Sequence, residues 1–177
     1  MTALRSTTEP HVPDQSIEQH IDTLAAEVGA ALKAADLKLV TAESCTGGGV
    51  AEAVTRVAGS SAWFDRGYVT YSYEAKSDML GVRRETLLDF GAVSEETAHE
   101  MVSGAIANSR AQVAVAVTGI AGPTGGLPDK PVGTVWFAWK FPKKPIVSEV
   151  CHFPGDRATV RAQTVAHALT CLLHNLK

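Results

Sequence analysis

The sequence predicts an α/β protein, a three-layer α/β/α sandwich around a mixed sheet, folded as a single domain. Three observations carry this. Short β-branched or small-apolar runs alternate with segments whose apolar residues recur every 3.6 positions. The run "AQVAVAVTG" is a continuous small-apolar run, as expected of a strand covered on both faces. Late in the chain, "VGTVWFAWK" and "IVSEVCHF" are separated only by "FPKKP", a hairpin-like turn that adds antiparallel strands to an otherwise alternating order. A chain of 177 residues suits one domain with a sizeable core, and no internal repeat is present.

The elements follow in order. Residues 1–15 hold Pro10, Pro13 and no periodicity, and are expected to form a disordered leader before a domain over 16–177. Asp14 or Ser16 is expected to cap a helix to about Ala35, with Ile17, Ile21, Leu24, Val28 and Leu32 on one face. "LKLVTA" reads as a strand, followed by a helix from near Thr46. "WFDRGYVTYS" is aromatic and β-branched, and reads as a strand ending at Tyr71. Two short helices closed by Gly81 and Gly91 come next. Ser94, with Glu95 and Glu96 in the first turn, opens a helix to about Ser109. The strand "AQVAVAVTG", the loop "GIAGPTGGLPDKP", the hairpin and a last helix capped by Asp156 complete the chain.

Composition removes several function classes. A net charge of −3 with no basic run speaks against nucleic-acid binding. No apolar stretch approaches the roughly 20 residues that span a bilayer, and the start lacks a secretory signal, so no membrane partner is expected. Three distant cysteines do not make a disulfide framework, and a cytoplasmic protein with reduced thiols is expected. The six histidines form no H-x-x-x-H pair and have no CxxC companion, so no metal and no cofactor are expected. A homo-oligomer is open, through "WFAWK" or the last helix, although Trp136, Phe137 and Trp139 read better as core.

Two segments leave strands into glycine-rich turns, where open α/β sheets bind ligands: "TAESCTGGGVAEAV" (Thr41 to Val54) and "VTGIAGPTGG" (Val117 to Gly126). Neither is a Walker A loop or a G-x-G-x-x-G fingerprint, and Ser44 is not in a G-x-S-x-G elbow. Ser44 at such a turn is a candidate nucleophile, and the backbone N–H groups around it are candidate oxyanion donors. Equally, Ser44 or Thr46 caps the next helix. Cys45 is better read as a structural thiol. A base for Ser44 is sought at His152 or in "TYSYEAKSD", where a desolvated Lys76 and Tyr71 would serve. From spacing alone, a packed strand tyrosine and a solvated helix lysine are the simpler reading. Arg157 and Arg161 open the last helix and suit an anion.

Taken together, "TAESCTGG", "AGSSAWFDRGYVTYSYEAK", "GAVSEETA", "TGIAGPTGG", "KPVGTVWFA" and "FPGDRATVR" resemble the CinA C-terminal domain family, with its bacterial nicotinamide mononucleotide deamidases of PncC type. The resemblance covers about Ile17 to Leu176. It implies metal-free hydrolysis of the carboxamide of nicotinamide mononucleotide, a small-molecule substrate. It also implies Ser44 as nucleophile, Tyr71 and Lys76 as a proton relay, and Arg157 on the substrate phosphate or the oxyanion. The turn residues Cys45, Thr46, Gly47 and Gly48, and Thr118 and Gly119 of the second loop, are the expected substrate contacts. The family usually reads Asn where this chain has Tyr73. If that Asn contacts substrate, Tyr73 alters affinity or specificity; if it caps a helix starting at Glu74, the reading favoured here, its loss costs about 1 kcal/mol and spares the chemistry. The resemblance also leads us to expect a stand-alone form without the larger N-terminal domain of two-domain relatives. The alternative reading is a non-catalytic nucleotide-binding module.

Overall fold

A computed structural model describes residues 15–177. In chain order it contains α1 (Gln15–Ala34), β1 (Leu39–Glu43), α2 (Gly49–Thr55), a single 3₁₀ turn, β2 (Phe64–Val69), α3 (Tyr73–Leu80), α4 (Arg84–Asp89), α5 (Glu95–Ala107), β3 (Val113–Gly119), β4 (Thr134–Lys140), β5 (Val147–His152) and α6 (Arg157–Leu176). The expected leader lies outside the described residues except for Gln15, which opens α1. Ser16 is inside that helix and so does not cap it, while Asp14 falls outside the described residues.

The five strands form one mixed sheet in the order β2-β1-β3-β4-β5. β1 is parallel to both β2 and β3, and β4 and β5 run antiparallel, as the hairpin-like "FPKKP" requires. Helices cover both faces. Strand alternation divides "VAVAV" between them. Val113, Val115 and Val117 join Leu39, Phe137 and Trp139 beneath α1, α2 and α6. Ala114 and Ala116 join Ala42 and Ala138 beneath α5, where Ala98, Met101, Val102 and Ala105 pack. Phe137 and Trp139 are buried and stack 5.3 Å apart, so they belong to the core, and the Trp139 indole N–H donates to Ala168 O.

The alanine face lets α5 lie close to the sheet, and α3 lies close to α5. A Cβ on Gly104 of α5 would fall 1.8 Å from Leu80 O, so this approach needs glycine. Gly81, at φ 68, ends α3 as expected, and the Asp156 and Ser94 side chains each accept an N–H from the first turn of the helix they precede. Two boundaries differ from expectation. Strand β2 stops at Val69, so Tyr71 lies beyond it, and α2 begins at Gly49, three residues later than Thr46. Among the described residues no helix is long and apolar enough to cross a membrane.

Candidate active site

β1 delivers Ser44 at its carboxyl end, and the parallel ladder continues one residue further on each side. The Ser44 N–H donates to Val117 O at 3.0 Å, and the Thr70 N–H donates to Glu43 O at 2.8 Å. Ser44 is therefore fixed between the ends of β2 and β3, where the sheet faces the ligand side of an open α/β fold. The chain then turns through Gly47 (φ 61) and Gly48 (φ 96), left-handed conformations that favour glycine. The Gly47 N–H closes the turn onto Ser44 O.

A residue missed in the sequence organises this turn. Glu43, the last residue of β1, is buried and its carboxylate accepts three hydrogen bonds. They come from the Thr46 hydroxyl (2.7 Å), the Val50 N–H (2.9 Å) and the Ala51 N–H (2.8 Å). The cap of α2 is therefore an acid six residues before the helix starts, matched to the positive end of its dipole. The expectation that Ser44 or Thr46 caps α2 is corrected: Thr46 donates its hydroxyl to Glu43, and the Ser44 hydroxyl faces elsewhere. Local spacing rules look for a cap adjacent to the helix and could not have found Glu43.

The Ser44 hydroxyl meets Lys76. Lys76 Nζ donates to Ser44 Oγ at 3.0 Å and to Thr70 O at 2.8 Å. The Ser72 hydroxyl accepts the Ala75 N–H at 3.1 Å and starts α3 at Tyr73, which turns Lys76 inward. Lys76 is only 1% exposed, and burial pushes its ammonium down to about 8. Tyr71 is instead 59% exposed. The simple reading of a core tyrosine and a solvated lysine is thus reversed at both positions, because the strand ends before Tyr71 and the helix begins early enough to face Lys76 inward.

Tyr71 and Lys76, expected to be coupled, have different hydrogen-bond partners in this structure. The Tyr71 hydroxyl accepts from Arg157 at 2.6 Å, and the same guanidinium donates to Gly122 O at 2.9 Å. Arg157 therefore bridges the end of β2 to the second glycine loop. Arg161, one turn along α6, donates to Thr46 O at 2.8 Å and braces the first turn. Thr118 is buried and donates its hydroxyl to Ala92 O at 2.6 Å, so it organises a loop and does not offer that donor to a ligand. Gly119 pairs with Val135 at the end of β3.

Cys45 is buried and its thiol is pushed up to about 12, chiefly by desolvation, so it is inert beside Ser44. Cys151 and Cys171 are pushed up to about 11 by burial and by Glu149. His152, the other base considered for Ser44, ends β5 at the sheet edge opposite β2, while Ser44 lies between β2 and β3. Tyr73 does not cap α3: Ser72 does, and the Tyr73 hydroxyl accepts the Ala92 N–H at 3.3 Å while its ring lines a groove with Glu74, Ser77 and Arg84. The substitution at 73 therefore removes no cap.

Residues 21–176 match the family model described as the CinA C-terminal domain. The chain belongs to that family. It is 54% identical over 149 residues to the nicotinamide-nucleotide amidohydrolase PncC of Escherichia coli K12, covering 84% of this chain and 90% of that protein. The protein of the same name from Pseudomonas putida is 55% identical over 153 residues, 86% of this chain and 95% of its own. Among solved structures, the competence/damage inducible protein CihA of Agrobacterium tumefaciens superposes with a TM-score of 0.86 at 46% identity, covering 94% of this chain and 98% of its own. The competence damage-inducible protein A of Klebsiella pneumoniae gives 0.85 at 47%, covering 88% and 96%.

Proposed function

We propose that this CinA-family domain is a nicotinamide-nucleotide amidohydrolase that converts nicotinamide mononucleotide to nicotinate mononucleotide and ammonia, with Ser44 as nucleophile. One observation carries the reading: a buried lysine amine, its pKa lowered toward neutrality, lies 3.0 Å from a serine hydroxyl at a strand-to-helix turn. A serine is a weak nucleophile until a neighbouring base takes its proton, and a neutral lysine is such a base. The names of the Escherichia coli and Pseudomonas putida relatives, matched over nine-tenths or more of their length, support the substrate.

Neutral Lys76 takes the Ser44 proton as Oγ attacks the carboxamide carbon, and the charge develops on the carbonyl oxygen. The Gly47 N–H is committed to Ser44 O and the Gly49 N–H to Thr46 O, which leaves Cys45, Thr46 and Gly48 N–H as the oxyanion donors. The Lys76 ammonium returns its proton to the amide nitrogen, ammonia leaves, and an ester to Ser44 remains. Water, deprotonated by Lys76, then attacks the ester, Lys76 gives that proton to the leaving Ser44 Oγ, and nicotinate mononucleotide is released. Arg157, steadied by Tyr71 and Gly122, takes the 5′-phosphate. Tyr71 thus acts on the arginine and lies outside the proton path. Action in the cytoplasm belongs to the same proposal; the three cysteines are free thiols.

The test is ammonia release from nicotinamide mononucleotide by wild type, Ser44→Ala and Lys76→Ala, with a chelator present. Turnover abolished by both substitutions and untouched by the chelator is the expected result. Nucleotide binding without turnover in the wild type would leave a binding module and refute the enzyme.

A further inference from the structure

A second cluster of reactive side chains lies away from Ser44, where β5 packs on α6. Glu149 and Cys151 are two residues apart on β5 and share a face. His167 and Cys171 are four apart on α6 and also share a face. The donor atoms of Glu149, His167 and Cys171 all lie within 4.8 Å of one another. His167 Nε2 is the hub, 3.0 Å from Glu149 Oε2, 3.5 Å from Cys151 Sγ and 3.6 Å from Cys171 Sγ.

The geometry points to a zinc-binding site formed by Glu149, His167 and Cys171, with Cys151 as the fourth ligand. A tetrahedral ion with Zn–S of about 2.3 Å and Zn–N of about 2.0 Å holds its nitrogen and sulfur about 3.5 Å apart. Both nitrogen–sulfur distances already have that value. Two sulfurs, an imidazole and a carboxylate are a donor set that suits a borderline-soft divalent cation over magnesium or calcium. The imidazole is held for the role by Phe137, Trp139 and Phe153, whose ring centroids lie 4.9, 6.1 and 6.0 Å from its own. Binding takes the tautomer with its proton on Nδ1, and Cys151, its Sγ 3.5 Å from Nε2, is the nearest further donor. Four protein ligands make a closed, structural site, which fastens the edge strand β5 to α6 and does not enter the chemistry at Ser44. The search of the sequence for H-x-x-x-H and CxxC does not see it, because E-x-C comes from a strand and H-x-x-x-C from a helix.

The experiment is a titration of the reduced protein with cobalt(II) as a spectroscopic substitute, then displacement by zinc. One equivalent should give a thiolate-to-cobalt charge-transfer band and the visible bands of a tetrahedral ion. Cys171→Ser and His167→Gln should weaken binding at least tenfold, and the double variant Cys151→Ser/Cys171→Ser should lose the band. Zinc should raise the thermal midpoint of wild type and not of the double variant, with ammonia release unchanged in both. In wild type alone, zinc should protect Cys151 and Cys171 from alkylation, so the test does not depend on any variant folding. No charge-transfer band at one equivalent, a band that survives in the double variant, or unprotected thiols would each overturn the site.

Discussion

The state of one amine should set the rate. In the proposed mechanism Lys76 must be neutral to take the Ser44 proton, and burial lowers its pKa from 10.5 to about 8. The neutral fraction is then about 3% at pH 6.5 and about 90% at pH 9, so kcat/KM should rise about thirtyfold and level off. An unshifted lysine would still be climbing at pH 9. Ammonia release across pH 6 to pH 10 in constant ionic strength reads this directly. Lys76→Arg keeps the charge and supplies no base, and should cost at least about a hundredfold at every pH. The same amine leaves a mark on stability. Its folded pKa lies below its unfolded one, so the unfolded chain holds the extra proton between about pH 8 and 10.5. Burying the charge therefore destabilises the fold fully below pH 8, by about 3 kcal/mol, and the penalty fades as pH rises through that window. Lys76→Met should be more stable than wild type at pH 7, and should lack the rise between pH 8 and 10.5 in urea titrations. A flat rate profile, or no plateau before pH 10, would refute the neutral-amine mechanism.

Three further outcomes are expected. Glu43→Gln weakens three hydrogen bonds to a carboxylate by about 1 kcal/mol each, which should lower the thermal midpoint by about 10 °C; calorimetry checks it, and an unchanged midpoint would remove Glu43 as the organiser of the turn. Arg157→Ala should raise KM for the mononucleotide about 10- to 100-fold with a smaller effect on kcat. A fall in kcat alone would move Arg157 from the phosphate to the oxyanion. Cys45→Ala should retain turnover, and wild type should survive iodoacetamide at pH 7, since the thiol is pushed up to about 12; inactivation through alkylated Cys45 would point to the sulfur as nucleophile.

The fold was legible because its signals are local. Apolar spacing marked α1 and α6, the small-apolar run marked β3, and the glycines at 81 and 91 marked helix ends. The site was legible only in part, for a physical reason. Each of its decisive contacts joins residues distant in sequence: Ser44 to Lys76, Tyr71 to Arg157, Thr46 to Arg161. Spacing within one segment gave Lys76 as solvated and Tyr71 as buried, because a two-residue uncertainty in where β2 ends exchanges inside for outside. Glu43 was overlooked since an acid in a strand has no periodic meaning until the helix it caps is folded over it. Thr118 looked like a ligand contact from its loop, yet its hydroxyl is spent on Ala92 O.

The order in which the ribosome delivers these parts has a consequence of its own. Ser44 and Lys76 are 32 residues apart and can meet early, whereas Tyr71 and Arg157 are separated by 86 residues and Thr46 and Arg161 by 115. Loops of that length close slowly, since their ends must find each other before any contact rewards them. A nascent chain therefore joins Ser44 to Lys76 before Arg157 and Arg161 are there to hold Tyr71 and brace the turn. Both long-range contacts wait for α6, so the order of the loop around Tyr71 and of the first glycine turn is set by the docking of one helix.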